Sequence, residues 1–427
     1  MTRQGTSRFR HTGLLALLVG IALLPFGCGR KAAAPPIRVG ILHSLSGTMA
    51  ISETAVVDAT KLAIEEINAS GGLLGRPVEA VVADGASDPD AFAREAARLI
   101  DDEKVCVVFG CWTSASRKAV KPVFEERNHL LFYPVQYEGI EQSPNIIYTG
   151  ATPNQQVMPA VSYALRHFGK RVFLVGSDYV FPRMANAIIV DQVRALGGEV
   201  VGESYVPLGG KSVAPIIEQI RQAKPDVILN TINGDSNAAF FQGLREAGIT
   251  PGDIPTISFS IGETELRQMD IATLAGDYAA WNYFQTVETP QNEAFVRAFR
   301  ERYGGDRVTS DPVEAAYFGV KLWAQAVREA GTTDPATVRK VLGGEGLLAP
   351  EGVVYIDNET QHAWKFARLG KILPDGQFEI VWSTEKPVRP IPYPAFRSRA
   401  EWERMLMDLH AAWGGKWVNP NREEEQP

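Results

Sequence analysis

The chain has 427 residues, 45% of them hydrophobic and 22% charged, and a formal charge of −7. Residues 1–27 contain Arg3, Arg8 and Arg10 and no acid, so the remainder carries −10, a balance that speaks against a nucleic-acid binder with a basic face. So long a chain exceeds what one core can organise and implies two lobes.

Arg3, Arg8 and Arg10 precede an apolar stretch from Leu14 to Leu24, followed by Pro25, Phe26, Gly27 and Cys28. Basic, then apolar, then small is the pattern of a secretory signal, and this one is short for a bilayer span. The surroundings of Cys28 resemble a bacterial lipoprotein processing site, in which the cysteine is lipidated and becomes the mature N-terminus. Pro25 and Phe26 stand where such sites usually have Leu and a small residue, with Leu24 one step further out. Cleavage near Ala32 to Ala34 is the competing reading, although Pro35 follows at once. Ala32 to Pro36 is small and Pro-rich, as a tether would be. No later stretch reaches transmembrane length. Cys106 and Cys111 lie about 17 Å apart on an extended chain, beyond disulfide reach, and no His stands near them in sequence to complete a metal site.

Ile37 to Leu42 is a strand delivering the loop His43-Ser44-Leu45-Ser46-Gly47-Thr48. Val56, Ala59, Leu62, Ala63 and Ile67 then recur at the spacing of one buried helix face, over about 52–68. Val78 to Ala83 is the second strand, and Asp88-Pro89 opens a helix to about Asp101. Val105 to Gly110 is an unbroken apolar run, a strand buried on both faces, and it breaks into Cys111-Trp112-Thr113-Ser114-Ala115-Ser116 and a helical pattern. Leu130 to Tyr133 follows, and after Asn145 to Thr149 the pattern starts afresh. It reads as helix 154–168, strand 172–175, helix 182–196, strand 199–206, helix 212–223 and strand 227–230. Amphipathic helices over 290–303 and 311–330 return the chain to the first lobe after Trp281 to Phe284. Gly352 to Ile356, Trp364 to Leu369 and Phe378 to Trp382 read as strands near a final crossing. A Pro-rich run from Pro387 to Pro394 and a helix over 399–412 form the tail, and residues 421–427 read as disordered.

Strands alternating with helices at this pitch predict an α/β fold of two doubly wound parallel-sheet lobes. The expected division is a signal segment over 1–28 and a tether over 29–36. The first lobe takes 37–153 and 286–356, the second 154–285 and 357–395, and the tail 396–427. Open parallel sheets bind ligands at the carboxyl ends of their strands. The turn after Gly110 joins a strand to a helix N-terminus, whose unpaired N–H groups and neighbouring hydroxyls can grip a small polar group. The competing role for Thr113, Ser114 or Ser116 taken singly is to cap its own helix.

Several separate stretches between about residues 37 and 395 carry a family resemblance. LAIEEINASGGLLGRPVEAVVADGASD over 62–88 resembles the periplasmic binding proteins of branched-chain amino acid and amide uptake systems. GCWTSASRKAV over 110–120, YPVQYEG over 133–139 and LNTINGDSN over 229–237 are similar to the urea-binding proteins of bacterial ABC transporters, with short-chain amide binders as close relatives. The resemblance implies two lobes joined by three crossover strands that close around a ligand, the type I arrangement. It implies pocket roles for Trp112 and Ser114, for Tyr133, and for Tyr179 and Phe181 from the opposite lobe. Val135 and Gln136 stand where amide sensors have Thr and Pro, a departure that fits a urea site better than an acetamide site.

Urea presents one carbonyl acceptor and four N–H donors, so a closed pocket must be rich in acceptors. Gln136, Glu138, Asn233, Asp235 and backbone carbonyls are the candidate acceptors, and Ser114 is a candidate donor. Trp112, Tyr133, Tyr137, Tyr179, Phe181, Trp281 and Tyr283 are the candidate walls. Ordinary core packing competes for each aromatic residue, and helix capping competes for Asp235. The expected ligand is urea, with a short-chain amide or a branched-chain amino acid as alternatives. The expected partners are membrane permease subunits of an ABC importer, with no cofactor and no nucleic acid. A periplasmic amide sensor is the rival role. An enzyme is not expected, because the sequence has no G-x-S-x-G elbow, no paired metal-ligand His and no P-loop lysine.

Overall fold

The computed structural model describes residues 34–420. Cys28, the expected signal segment and the polar end at 421–427 lie outside the described residues. The first lobe is built on β1 (Ile37–His43), β2 (Val78–Asp84), β3 (Val108–Gly110), β4 (Leu131–Tyr133) and β5 (Ile146–Tyr148), in the order β2-β1-β3-β4-β5 with every neighbour parallel. Its apolar strands are covered on one face by α1 (Ala50–Ala69) and on the other by α2 (Pro89–Asp101) and α3 (Ser114–Glu126). The short β3 is narrower than the expected run from Val105. Its ladder nevertheless continues upstream, where Cys106 N–H donates to Arg38 O and Gly40 N–H to Val107 O.

The second lobe repeats the scheme with α4 (Val157–His167), β6 (Arg171–Ser177), α5 (Val180–Ala195), β7 (Glu199–Val206), α6 (Ala214–Ala223), β8 (Val227–Thr231) and α7 (Ser236–Glu246). β9 (Thr256–Ser258), the short α8 (Glu263–Leu266) and β10 (Tyr278–Trp281) follow. The chain then recrosses, and α9 (Pro290–Tyr303) and α10 (Asp311–Ala330) pack on the first sheet through Phe295, Phe299, Phe318 and Trp323. After α11 (Pro335–Leu342), β11 (Gly346–Ala349), β12 (Gly352–Ile356) and β13 (Ala363–Trp364) make a small antiparallel sheet.

One expected strand divides at the last crossing. Trp364 ends β13, whereas Leu369 belongs to β14 (Arg368–Ile372), which with β15 (Phe378–Ser383) adds two antiparallel strands to the second sheet, in the order β15-β14-β10-β9-β8-β6-β7. The second sheet is therefore parallel from β10 to β7, as expected of a doubly wound lobe, and carries two antiparallel strands at its β10 edge. The last helix among the described residues, α12 (Arg399–Ala412), packs on α5 through Trp402 and Leu406.

Candidate functional site

The turn after β3 is shaped by its backbone. A Cβ on Gly110 would stand 2.2 Å from Leu42 O, so only glycine lets β3 lie this close to β1. Cys111 takes φ 69°, a left-handed conformation uncommon for a residue with a side chain, and this bend aims Trp112 toward the second lobe. Thr113 then caps α3, its Oγ1 accepting the Ser116 N–H at 3.0 Å, while Ser116 Oγ donates to Thr113 O at 2.8 Å. Capping thus claims these two hydroxyls, and the turn keeps less capacity to hold a carboxylate than its sequence suggests. The thiols on either side are pushed up by burial, Cys106 to about 12 and Cys111 further, so neither is a ready nucleophile.

Among the hydrogen bonds that cross between the lobes, three join loops at strand ends. Trp112 Nε1 donates to Asn233 Oδ1 at 3.3 Å, Gln136 Nε2 donates to Phe259 O at 2.7 Å, and Thr48 Oγ1 donates to Asp235 Oδ1 at 2.5 Å. They bring together the loops after β1, β3, β4, β8 and β9, the carboxyl ends of five strands. Because Phe259 O can only accept, the Gln136 amide must turn its nitrogen toward it. Its Oε1 then has no partner and is buried. A buried acceptor left unpaired costs about 1–3 kcal/mol until a donor meets it.

Beneath Trp112 lies a closed charge cluster. Arg117 Nη2 donates to Glu138 Oε1 at 3.1 Å and its Nε to Glu141 Oε1 at 2.8 Å, while Lys118 Nζ meets Glu141 Oε2 at 2.9 Å. Ser114 Oγ donates to Glu138 Oε2 and accepts from Arg117 Nη1 at 3.0 Å. Two cations face two carboxylates here, all of them buried. Burial opposes ionisation of Glu141, but Arg117 and Lys118 overcome it and hold the carboxyl well below its usual range. Arg117 therefore has no spare charge for an anionic ligand.

The remaining candidates separate by what their polar ends touch. Tyr133 is fully buried, and its hydroxyl donates to Trp112 O at 2.6 Å, holding the Trp112 turn. Tyr179 is buried beside Tyr133 and Glu138, and burial pushes its phenol well up. Tyr137 stacks on Tyr148 at 5.2 Å and shares a hydrogen bond with His362 Nε2, which puts it in an aromatic layer of the first lobe. Phe181 packs among Met184, Ile188 and Trp402. Trp281 donates to Ile261 O at 2.7 Å from within the second core, and the Tyr283 hydroxyl meets Asn292 Oδ1 at 2.6 Å and Thr309 Oγ1 at 2.7 Å. For Tyr137, Phe181, Trp281 and Tyr283 core packing accounts for the side chain. Asp235 occupies the N-cap position of α7 without a capping bond, its carboxylate being turned to Thr48.

Sequence reasoning missed Thr48, the Phe259 carbonyl and Gln156, whose Nε2 donates to Phe259 O at 3.2 Å and Ala280 O at 2.7 Å. It also missed His43, whose Nδ1 lies 2.8 Å from Glu53 Oε2 while its buried Nε2 has no partner. A signal for Thr48 and His43 was available, since His43 ends the first strand and Thr48 lies in the loop it delivers.

A family model described as the periplasmic binding protein domain matches residues 37–399. Leu/Ile/Val-binding protein homolog 6 of Brucella suis biovar 1 (strain 1330) is 26% identical over 359 residues, covering 80% of this chain and 89% of that protein. A 114-residue stretch is 33% identical to limonene hydroxylase of Geobacillus stearothermophilus, covering 27% of this chain and 21% of that protein. Among solved structures, a solute binding protein of an ABC transporter from Rhodopseudomonas palustris HaA2, in complex with p-hydroxybenzoic acid, superposes with a TM-score of 0.76 at 24% identity, covering 83% of this chain and 98% of that one. A leucine binding protein, LivK, from Thermotoga maritima MSB8 superposes with a TM-score of 0.70 at 20% identity, covering 81% of this chain and 98% of that one. At these identities the two structures speak for the fold alone.

Proposed function

We propose, since the chain belongs to the periplasmic binding protein domain family, that it captures urea between its lobes and delivers it to the permease of an ABC importer. The observation that carries this reading is Gln136, whose nitrogen is tied to Phe259 O across the lobes while its buried oxygen awaits a donor. A ligand with several N–H groups meets that need, whereas an aliphatic side chain, which has no donor, does not. The self-neutralised cluster of Arg117, Lys118, Glu138 and Glu141 supports an uncharged ligand in the same way, because none of its charges is left to pair with a carboxylate or an ammonium. Trp112, Ser114, Tyr133, Gln136, Tyr179 and Asn233 form the proposed site.

Closure is the working step. A ligand docked on one lobe gains contacts from the other only when the lobes meet, and that difference shifts the hinge equilibrium toward the closed form the permease engages. Export and anchoring through Cys28 complete the proposal. Mass spectrometry of the mature N-terminus tests it, and an unmodified residue near 33–35 as first residue would remove the anchor. Among the described residues no helix is long and apolar enough to cross a membrane.

A short-chain amide is the second reading, since its NH2 group also suits the Gln136 oxygen. The relatives named for Leu, Ile and Val make leucine the third ligand to try, and the Rhodopseudomonas complex makes 4-hydroxybenzoate the fourth. Isothermal titration with urea, acetamide, formamide, leucine and 4-hydroxybenzoate decides among them. Saturable urea binding with weaker amides is the expected outcome. Tight binding of leucine or 4-hydroxybenzoate without urea would overturn the assignment.

A further inference from the structure

The C-terminal segment touches both lobes, and it does so unequally. On the second lobe, Trp417 to Asn419 lies against the turn that carries Tyr179. Val180 N–H donates to Trp417 O at 3.0 Å, Asn419 N–H donates to Asp178 O at 3.1 Å, and Tyr179 and Val418 form an antiparallel bridge. Asn419 Nδ2 adds a hydrogen bond to Asp178 Oδ2 at 2.6 Å. Arg397 grips Asp191 of α5 with two hydrogen bonds of 2.6 and 2.9 Å, and the fully buried Trp402 fills the space between.

On the first lobe the attachment has fewer polar contacts, with Ala115 and Ile140 sharing an apolar cluster with Trp402, Leu406 and Trp413. Ile140 N–H donates to Pro392 O at 2.8 Å, and Lys118 Nζ stands 5.1 Å from the centre of the Trp417 ring. Between them a groove of about 400 Å³ separates Lys121, Pro122 and Glu125 of α3 from Arg399, Glu403 and Met407 of α12.

We infer that residues 413–419 are a strap that travels with the second lobe and latches the closed cleft by laying Trp417 over Lys118, making Trp417 a positioning residue for ligand retention. The asymmetry is the argument. Two backbone hydrogen bonds and the Asn419 side chain hold the strap to the second lobe, and the Arg397–Asp191 ion pair anchors the helix that carries it there, whereas on the first lobe the strap has the Trp417 cation–π contact beside an open groove and the apolar edge of Ala115 and Ile140. When the lobes part, the weaker side is the one that lets go. Contacts made only in the closed form add to its population and slow release of whatever the cleft holds. The same strap fixes the Tyr179 turn, so latch and proposed pocket wall are one assembly.

This inference rests on the proposed function only in having a ligand to retain, so the test has a readout without ligand. Small-angle X-ray scattering of the ligand-free protein compares the wild type with Trp417→Ala, Trp417→Leu and Trp417→Phe, alongside urea dissociation rates. Trp417→Leu keeps apolar bulk should Trp417→Ala fold poorly. Expected is a larger radius of gyration for the Ala and Leu variants, with urea released roughly two- to thirty-fold faster, the span of a cation–π contact. Trp417→Phe restores both, because a ring again faces Lys118. An unchanged radius in the Ala and Leu variants overturns the latch, as does a lowered melting temperature without any opening. If the wild type does not bind urea, the ligand assignment fails while the ligand-free radii still decide the latch.

Discussion

Gln136 is the residue on which the ligand assignment turns, because its two amide ends have different fates. The nitrogen is held by Phe259 O at 2.7 Å and the oxygen is buried without a donor. Gln136→Ala removes the acceptor and one of the bonds between lobes, and it should weaken urea binding by about 1–3 kcal/mol, roughly five- to 150-fold. Calorimetry checks this, and unchanged affinity would take Gln136 out of the site. The sequence singled out this position because Gln stands where related sensors have Pro, yet it could not show which amide end faces the ligand. The orientation depends on a carbonyl 123 residues downstream. Ser114 shows the opposite outcome. Its hydroxyl reads in sequence as a free donor, and in the fold it is shared between Glu138 and Arg117.

At the scale of elements, the strand, turn and helix from β3 to α3 hold the site in place. Gly110 is their tightest constraint, with backbone 2.2 Å from where a Cβ would stand. Gly110→Ala forces β3 from β1 and should lower stability by at least about 2 kcal/mol. Guanidinium denaturation is the suitable measurement, since urea is the proposed ligand; a midpoint within error of wild type would refute the close-approach argument. Long amphipathic elements such as α1 and α10 were legible because apolar residues recur at the helical period over 20 residues in each. The three-residue β9 and the pair β13 and β14 were not. Thr256-Ile257-Ser258 offers one apolar residue, and nothing local in Trp364 to Leu369 marks where the chain leaves one sheet for another.

Across the whole molecule, the three crossings meet around buried charge. Lys365 Nζ donates to Thr149 O at 3.1 Å in the first crossing and lies 3.9 Å from Asp311 Oδ2. That oxygen accepts the Asn282 and Tyr283 N–H groups of the second crossing at 2.9 Å each, and Lys365 itself belongs to the third. Nearby, burial pushes the Glu263 carboxyl up to about 8 from 4.5, against the Gln285 N–H that favours its charged form. A carboxyl raised in this way holds its proton in the fold and releases it in the unfolded chain. Its contribution is therefore complete below about pH 4.5 and is lost as pH rises toward 8. Burial holds His362 down at about 3 from 6.5, so its opposing effect is confined below pH 6.5. Thermal stability should accordingly fall between pH 6.5 and 8, a fall shared by Glu265 and Asp277, which burial raises to about 7, and Glu263→Gln, which carries no proton to lose, should make it shallower. Parallel melting curves across the window test it; an equally steep fall in the variant would clear Glu263 of the effect.

The sequence by itself determined the two-lobe α/β plan and the loops that reach the cleft, because apolar periodicity and turn chemistry are local properties of the chain, and its motifs carried the family resemblance. Only the tertiary structure decided which polar groups remain available there. Thr113 and Ser116 were spent on their own helix, Glu138 on Arg117 and Ser114, and Asp235 on Thr48, whereas Gln136 kept an oxygen in reserve. The hydrogen bonds that Trp112, Gln136 and Thr48 make across the lobes join residues more than a hundred positions apart, and their geometry exists only once both lobes have folded and met.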